Sequence, residues 1–431
     1  MGQPPPSAPS PNDRSIRHDT AGLFADAIGP RGVTQAQLDI RLASLAGARD
    51  ILGEAAGQLA GVCRNQDLPA LQARLERLSQ GARTLVLFAP GIAGSGAKAL
   101  AQLAGWNIPG GADVRQKSRP RTRFYDSADP RTLSGALASD DLATKRFVII
   151  DPTGTSPVAL AQAGAVLQTL DADGLGLRAR DLGLGLTCAQ GSTLAEMLTS
   201  RAIPVHFVPD AMPQSFHILS AAGLLPAMAR GMAAQRMIAG AMAVLERHLA
   251  GPASAHDPIA RNAAAIAALL AEGGVTLLTV APFSDRLGAF GTWLRDLWIE
   301  VLGSSASPAA DVSADGPVDP FQSITAFARG PRRLVTVLRL DPHAAAAPRH
   351  TIEPVSARPG TRGPAASGTG FPSPRAVVDA QEAFLAHALA GAGVPARFLA
   401  VADLDEDAIG GFVMHMTLEA ILAGRLVAAQ A

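Results

Sequence analysis

Glu300 and Asp296 lie one helical turn apart in the segment Pro282 to Gly303, PFSDRLGAFGTWLRDLWIEVLG. At 100° per residue Phe290, Trp293, Leu294, Leu297, Trp298 and Val301 share one face, so an amphipathic helix with an aromatic stripe is predicted from about Leu287 onward. Glu300 falls beside Trp293 at the edge of that face. Partial burial and the like charge of Asp296 at i, i+4 would both favour the protonated form of its carboxyl, as a general base working near neutrality requires. A helix whose Glu simply points to water meets the same periodicity.

Two turns offer a second chemistry, anion binding. The apolar run TLVLFAP, Thr84 to Pro90, reads as a buried strand that feeds GIAGSG and a helix expected from Ala97. A second strand, KRFVIID, runs into Pro152-Thr153-Gly154-Thr155-Ser156 and the helix PVALAQAGAVLQTL. Strand, turn and helix in succession present backbone N–H groups and a positive helix end to an anion, although a structural tight turn fits the pattern equally. Asp151 and Pro152 oppose anion binding, because two like charges about 4 Å apart repel by roughly 1 to 4 kcal/mol and proline has no N–H.

The elements that must position these groups alternate. Helical spacing runs through 20–80, strand and helix units follow twice, and IARNAAAIAALLAEGG with the strand VTLLTVAPF leads into the Glu300 segment. Such alternation predicts an α/β fold with ligands at the carboxyl ends of parallel strands. Helix AVVDAQEAFLAHALAGAG, strand ARFLAVADL and helix IGGFVMHMTLEAILAGRLV close the chain.

At 431 residues, 48% apolar and 17% charged, the chain can bury the cores of two or three domains. A formal net charge of zero argues against nucleic acid or an anionic membrane as partner. The run Ile218 to Leu245 is broken by Pro226, Arg230 and Arg236, which favours a buried helix pair over a membrane span. Cys63 and Cys188 lack metal-like spacing and suggest a reducing compartment. The Pro/Ser-rich start has no apolar signal core, so residues 1–19 are expected as a disordered tail and the location as the cytoplasm.

The Glu300 segment resembles the long signature of the glucose-6-phosphate isomerase family, P-[YF]-S-D-R-L, then W, then L-W-x-E-S-x-G-K. The resemblance extends in order from about residue 80 to 428. GIAGSG is similar to the family's G-I-G-G-S, with Ala93 in place of a glycine. FYDSADPRTLSGAL resembles F-x-D-N-x-D-P-x-T, DPTGTS stands where the family has S-K-[ST]-x-[ST]-T, and FHILSAAGLLP is similar to [FY]-S-V-L-S-A-V-G-L-L-P. The resemblance implies two SIS-type doubly wound parallel-sheet domains with flanking helices, expected over 81–250 and 251–431. A helical lead-in is expected over 20–80 and a mobile loop over 343–375. It also implies interconversion of glucose 6-phosphate and fructose 6-phosphate through an enediol, Glu300 as base, a sugar phosphate ligand with Gly94, Ser95, Thr153, Thr155 and Ser156 around its phosphate, no metal or cofactor, and a homodimer.

Several positions depart from the family. Ser215 stands at its enediol-stabilising Arg, and loss of a charge-directed donor costs roughly 100- to 1000-fold in rate. Phe321 stands at its ring-opening His and cannot transfer a proton. Ring opening and enediolate stabilisation would then need substitutes such as Arg286 or His217. No lysine follows Lys145, and the family's catalytic Lys lies in a segment beyond the match, so a further segment or a separate subunit would have to supply it. These departures keep a second expectation open, a catalytically inactive SIS-domain protein that binds a phosphosugar or a protein partner.

Overall fold

The computed structural model describes residues 16–45, 48–108, 119–138, 141–187, 191–210, 212–250, 256–272, 274–303, 311–314, 332–341, 374–401 and 404–429. Its strands are β1 (Ile16–Asp19), β2 (Thr84–Phe88), β3 (Arg121–Tyr125), β4 (Lys145–Ile150), β5 (Gly183–Thr187), β6 (Val205–Phe207), β7 (Leu277–Pro282), β8 (Asp311–Ala314), β9 (Arg333–Leu340) and β10 (Ala396–Val401). They form two five-stranded sheets, in the orders β3-β2-β4-β5-β6 and β1-β10-β9-β7-β8. Every pairing in the first sheet is parallel, and in the second only β1 runs antiparallel, on β10.

The continuous apolar runs become strands because both faces of each sheet are covered. In the first sheet Leu85, Leu87, Val148, Ile150, Leu184 and Leu186 turn into a large core, while Val86, Phe88, Phe147 and Ile149 turn outward into a second cluster. The other sheet divides the same way: Leu278, Val280, Leu334, Leu338, Leu399 and Val401 join the large core, and Val335, Val337, Ala396 and Phe398 form a third cluster. This is the two-residue period of a strand read from both sides. One helical layer is therefore shared between the sheets, and it is built largely by helices Gly91–Leu103, Ala234–Ala250, Pro258–Ala271, Gly288–Gly303 and Glu406–Ala428. The divide expected at residue 250 falls between two helices of this layer.

Glu406–Ala428 is long and apolar enough by length and composition to cross a membrane, but 89% of its most apolar window is buried against the protein. Its close approach to Ala234–Ala250 depends on Gly410, where a Cβ would lie 1.8 Å from the Met237 carbonyl oxygen. The apolar run Ile218 to Leu245 is the helix pair Ala221–Ala229 and Ala234–Ala250, both buried along one or more faces.

Three sequence expectations need correction. Residues 16–19, expected in a disordered tail, are strand β1, with Ile16 opposite Val401 and His18 opposite Leu399. Its side chains hold it at the edge: Arg17 pairs with buried Asp341 at 2.9 Å, and His18 bonds Asn262 and packs its ring 4.7 Å from that of His415. A four-residue strand with polar alternate positions leaves no apolar run to read. Second, the helix expected from Ala97 starts at Gly91. Third, the sheet with β1 is mixed at one edge. Phe321 and residues 343–373 lie outside the described residues, and a helix begins at Pro374.

Candidate functional site

Glu300 is positioned by the helix Gly288–Gly303, whose start is set by a short turn, Asp285–Leu287, capped by the Ser284 side chain on the Arg286 N–H. Phe290, Trp293, Leu294, Leu297 and Trp298 are buried as the pattern requires. The Phe290 ring stacks on Phe412 at 4.5 Å and leans on Trp293 at 4.9 Å, which fixes the rotation of the helix in the shared layer. Val301 is half-buried, against the helix Glu406–Ala428.

From this face the helix grips the 3-10 turn Gln214–Leu219 at two places. Trp293 Nε1 donates to the Ser215 carbonyl at 3.0 Å. Two turns on, Glu300 Oε1 accepts from the Gln214 N–H at 2.7 Å, and Oε2 accepts from the Ser215 N–H at 2.8 Å and the Ser215 hydroxyl at 2.6 Å. A carboxylate at the start of a helical turn satisfies N–H groups that have no partner within the turn. Glu300 thus points inward, not to bulk water. The like-charge premise from Asp296 does not hold, since Asp296 is engaged by the Arg295 guanidinium at 2.6 Å.

The same carboxylate lines a cavity of about 360 Å³ together with Glu54, Gln58, Pro213, Phe216 and Arg425. None of Gly94, Ser95, Thr153, Thr155 or Ser156 lines it. Gly94 and Ser95 sit inside the helix Gly91–Leu103 and are buried. A Cβ on Gly94 would lie 1.8 Å from the Ala89 carbonyl oxygen, and the Ser95 hydroxyl donates to the Ile92 carbonyl at 2.7 Å. Gly94 thus allows close packing of the helix on the end of the strand, and Ser95 bonds within its own helix. Ala93, in place of the family's glycine, has its methyl in the core.

The loop after β4 is closed around its own acid. Asp151 is buried, and its Oδ1 accepts from the Thr153 N–H at 3.1 Å and the Thr153 hydroxyl at 2.6 Å. Its Oδ2 accepts from the Ser156 N–H at 2.9 Å, and the Ser156 hydroxyl caps the following helix on the Ala159 N–H. The Thr155 N–H is turned to the Thr153 hydroxyl at 3.3 Å. The Thr153 and Ser156 N–H groups and the Thr153 hydroxyl, donors that could cradle a phosphate, are thus occupied by an internal carboxylate. Asp151→Ser is therefore expected to tighten binding of inorganic phosphate about fivefold or more by calorimetry, since removing a like charge at contact is worth ~1 to 4 kcal/mol. The same change should lower the melting temperature, because it takes the acceptor from buried donors.

Neither Arg286 nor His217, the substitutes expected for the missing cations, reaches Glu300. Arg286 donates to the Leu103 carbonyl at 3.3 Å from the turn that precedes the Glu300 helix, and the start of that helix at Gly288 is already roughly 18 Å from Glu300 at 1.5 Å per residue. The His217 Nδ1 is 3.2 Å from the Ser220 hydroxyl, and burial holds the imidazole neutral down to about pH 4. His18 is lowered to about 4 by burial and by Arg397. The unfolded chain takes up these two protons near 6.5 and the folded chain only near 4. Stability is therefore expected to fall as pH drops from 6.5 towards 4 and to level off below, which thermal melts across that range would record.

Sequence reasoning missed Arg425. It stands in the last turn of the helix Glu406–Ala428, exposed, in a stretch otherwise buried. A single charged residue in AILAGRLV was the available signal. Among the described residues no group of three or more His, Cys, Asp or Glu side chains could hold a metal ion.

No family model matches the chain. It is 28% identical over 303 residues to a probable glucose-6-phosphate isomerase of Halobacterium salinarum, covering 70% of this chain and 67% of the relative. It is 26% identical over 303 residues to the corresponding protein of Haloarcula marismortui, covering 70% and 66%. A glucose-6-phosphate isomerase of Rubrobacter xylanophilus is 24% identical over 322 residues, 71% of this chain and 69% of its own. The matches thus span about two thirds of the relatives' lengths. In structure, the chain resembles a hypothetical protein of Thermus thermophilus with a TM-score of 0.74 at 21% identity, over 96% of this chain and 94% of the other. It superposes on a glucose-6-phosphate isomerase of Chlamydia trachomatis with a TM-score of 0.70 at 15% identity, over 96% and 84%. The fold is that of two SIS-type parallel-sheet units, shared with a glucose-6-phosphate isomerase, and over about 70% of its length the chain is similar in sequence, at 24 to 28% identity, to proteins named as glucose-6-phosphate isomerases.

Proposed function

We propose that the chain is an aldose–ketose isomerase acting on a sugar phosphate, interconverting glucose 6-phosphate and fructose 6-phosphate, with Glu300 as the base. The observation that carries this reading is the Glu300 carboxylate in the wall of a cavity of about 360 Å³, a volume within the range of small-molecule sites. In the open-chain aldose the carboxylate takes the C2 proton, the electron pair forms the C1–C2 double bond, and O1 takes the negative charge. The proton returns to C1 while the O2 hydroxyl proton passes to O1, giving the ketone at C2. The Ser215 hydroxyl, 2.6 Å from Oε2, holds the carboxylate in one orientation during both transfers. The relatives named as glucose-6-phosphate isomerases support this reaction class. The family's use of homodimers suggests that assembly here, and a glycolytic role suggests the cytoplasm.

One observation favours the second reading, a binding protein without turnover: Asp151 fills the loop that would hold the phosphate. Incubating the purified chain with glucose 6-phosphate and coupling fructose 6-phosphate to a dehydrogenase separates the two. A catalysed rise is expected. No rise above buffer, with a thermal shift in the same sugar phosphate, would leave the binding reading.

A further inference from the structure

Removing a proton beside a carbonyl leaves negative charge on the oxygens of an enediolate, and the rate depends on positive groups already aimed at them. The described ionisable side chains lining the Glu300 cavity are Glu54, Glu300 and Arg425. Two of these are acids, so without Arg425 the wall would repel a substrate that grows more negative in the transition state. The Gln214 and Ser215 N–H groups could have served as oxyanion donors, but both are taken by Glu300 itself. Gln58 donates to Glu54 at 3.1 Å, which ties one acid to its own helix.

Arg425 is brought beside Glu300 by a close crossing of two helices. Gly424 packs on Val301 so tightly that a Cβ there would lie 2.4 Å from Val301 Cγ1 and 3.5 Å from the Val301 carbonyl oxygen. Glu300 precedes one member of this contact and Arg425 follows the other, so the two side chains leave the crossing into one cavity. The Arg425 guanidinium makes no hydrogen bond or ion pair among the described residues. It is exposed, always charged, and presents a planar fork of donors suited to two adjacent oxygens.

We infer that Arg425 is a catalytic residue whose guanidinium faces O1 and O2 of the enediolate and stabilises the charge formed as Glu300 takes the C2 proton. The inference rests on the isomerase reading above. Its position on the last helix separates it from the 3-10 turn where the sequence places Ser215.

Arg425→Gln and Arg425→Lys test it, since an exposed side chain can be exchanged without loss of fold. The Gln variant is expected to lose about 100- to 1000-fold in kcat while KM for glucose 6-phosphate changes less than about threefold, with partial recovery in the Lys variant. Binding is read in parallel by calorimetry with two ligands, a five-carbon aldonic acid 5-phosphate, whose carboxylate resembles the enediolate, and a hexitol 6-phosphate, which carries no such charge. Arg425→Gln should weaken the first by a factor similar to the loss in kcat and leave the second unchanged. Equal loss for both ligands, or a raised KM at unchanged kcat, would place the guanidinium on the phosphate and overturn the inference. If the wild type turns nothing over, the isomerase reading fails, and the ligand pair still decides: equal affinities of wild type and variant for the aldonate would overturn the assignment of Arg425, and selective loss would uphold it.

Discussion

Glu300→Gln should lower kcat by about 100- to 10,000-fold, because positioned proton transfer contributes that much and no other described acid in the cavity is held by the 3-10 turn. The variant also tests the structural role of the carboxylate. Both Glu300 oxygens now accept, whereas a Gln side chain turns an NH2 group towards either the Gln214 or the Ser215 N–H. One donor would be left without an acceptor at a partly buried site, at a cost of about 1 to 3 kcal/mol. The expected result is therefore a joint loss of turnover and of melting temperature, with the fold retained. Turnover that survives the substitution would show that the carboxylate only braces the turn.

The largest expected change in stability is at Arg397. This side chain is fully buried beneath the second sheet, where Nη1 meets Glu419 Oε1 at 2.5 Å and Nε donates to the Thr336 hydroxyl at 2.9 Å. Glu419 is equally buried, and its second oxygen has no hydrogen-bond partner; the nearest cationic candidate is His415 Nε2 at 3.9 Å. Desolvation holds His415 well below its usual range, and the neighbouring His18 and Arg397 push the same way, so the imidazole brings no charge to the acid. Arg397→Met would thus leave a lone carboxylate in the core, at a cost of about 3 to 5 kcal/mol by denaturant titration. Replacing Glu419 with Leu in the same chain should restore much of the loss, since the cost comes from the unpaired charge and not from the missing contact. A single substitution costing under about 1 kcal/mol would mean that the pair contributes no more than a surface bridge.

How much of this was legible in the sequence follows from the range of the forces involved. The runs at β2, β4 and β7 read correctly because burial of both faces leaves a local mark, a continuous apolar string. The Gly288–Gly303 helix read correctly because its aromatic stripe repeats within two turns. The start of the helix at Gly91 did not, since glycines that look like a flexible turn pack inside the helix, Gly94 close on Ala89 and Gly96 close on Ile218. Glu300 was recognised as a group of interest, but its donors lie some 85 residues earlier, and no local pattern announces them. Asp151 was read as a charge that would repel a phosphate. The structure shows it satisfying the loop's own donors, which needs the turn geometry and not the residue types alone. Arg425 depended on the crossing of two helices far apart in the chain. Strand β1 depended on the edge of a sheet whose other strands follow more than 250 residues later.

The central claim is that Glu300 moves a proton between C2 and C1 of a sugar phosphate, and solvent isotope reports that transfer most directly. Wild-type protein is given glucose 6-phosphate in D2O and the fructose 6-phosphate formed is examined by NMR. A carboxylate that exchanges its proton with solvent before returning it predicts deuterium at C1 of the product. Original hydrogen at C1 is the same carboxylate returning its proton before exchange; product formed by Glu300→Gln at the wild-type rate, or no product from the wild type, would contradict the account.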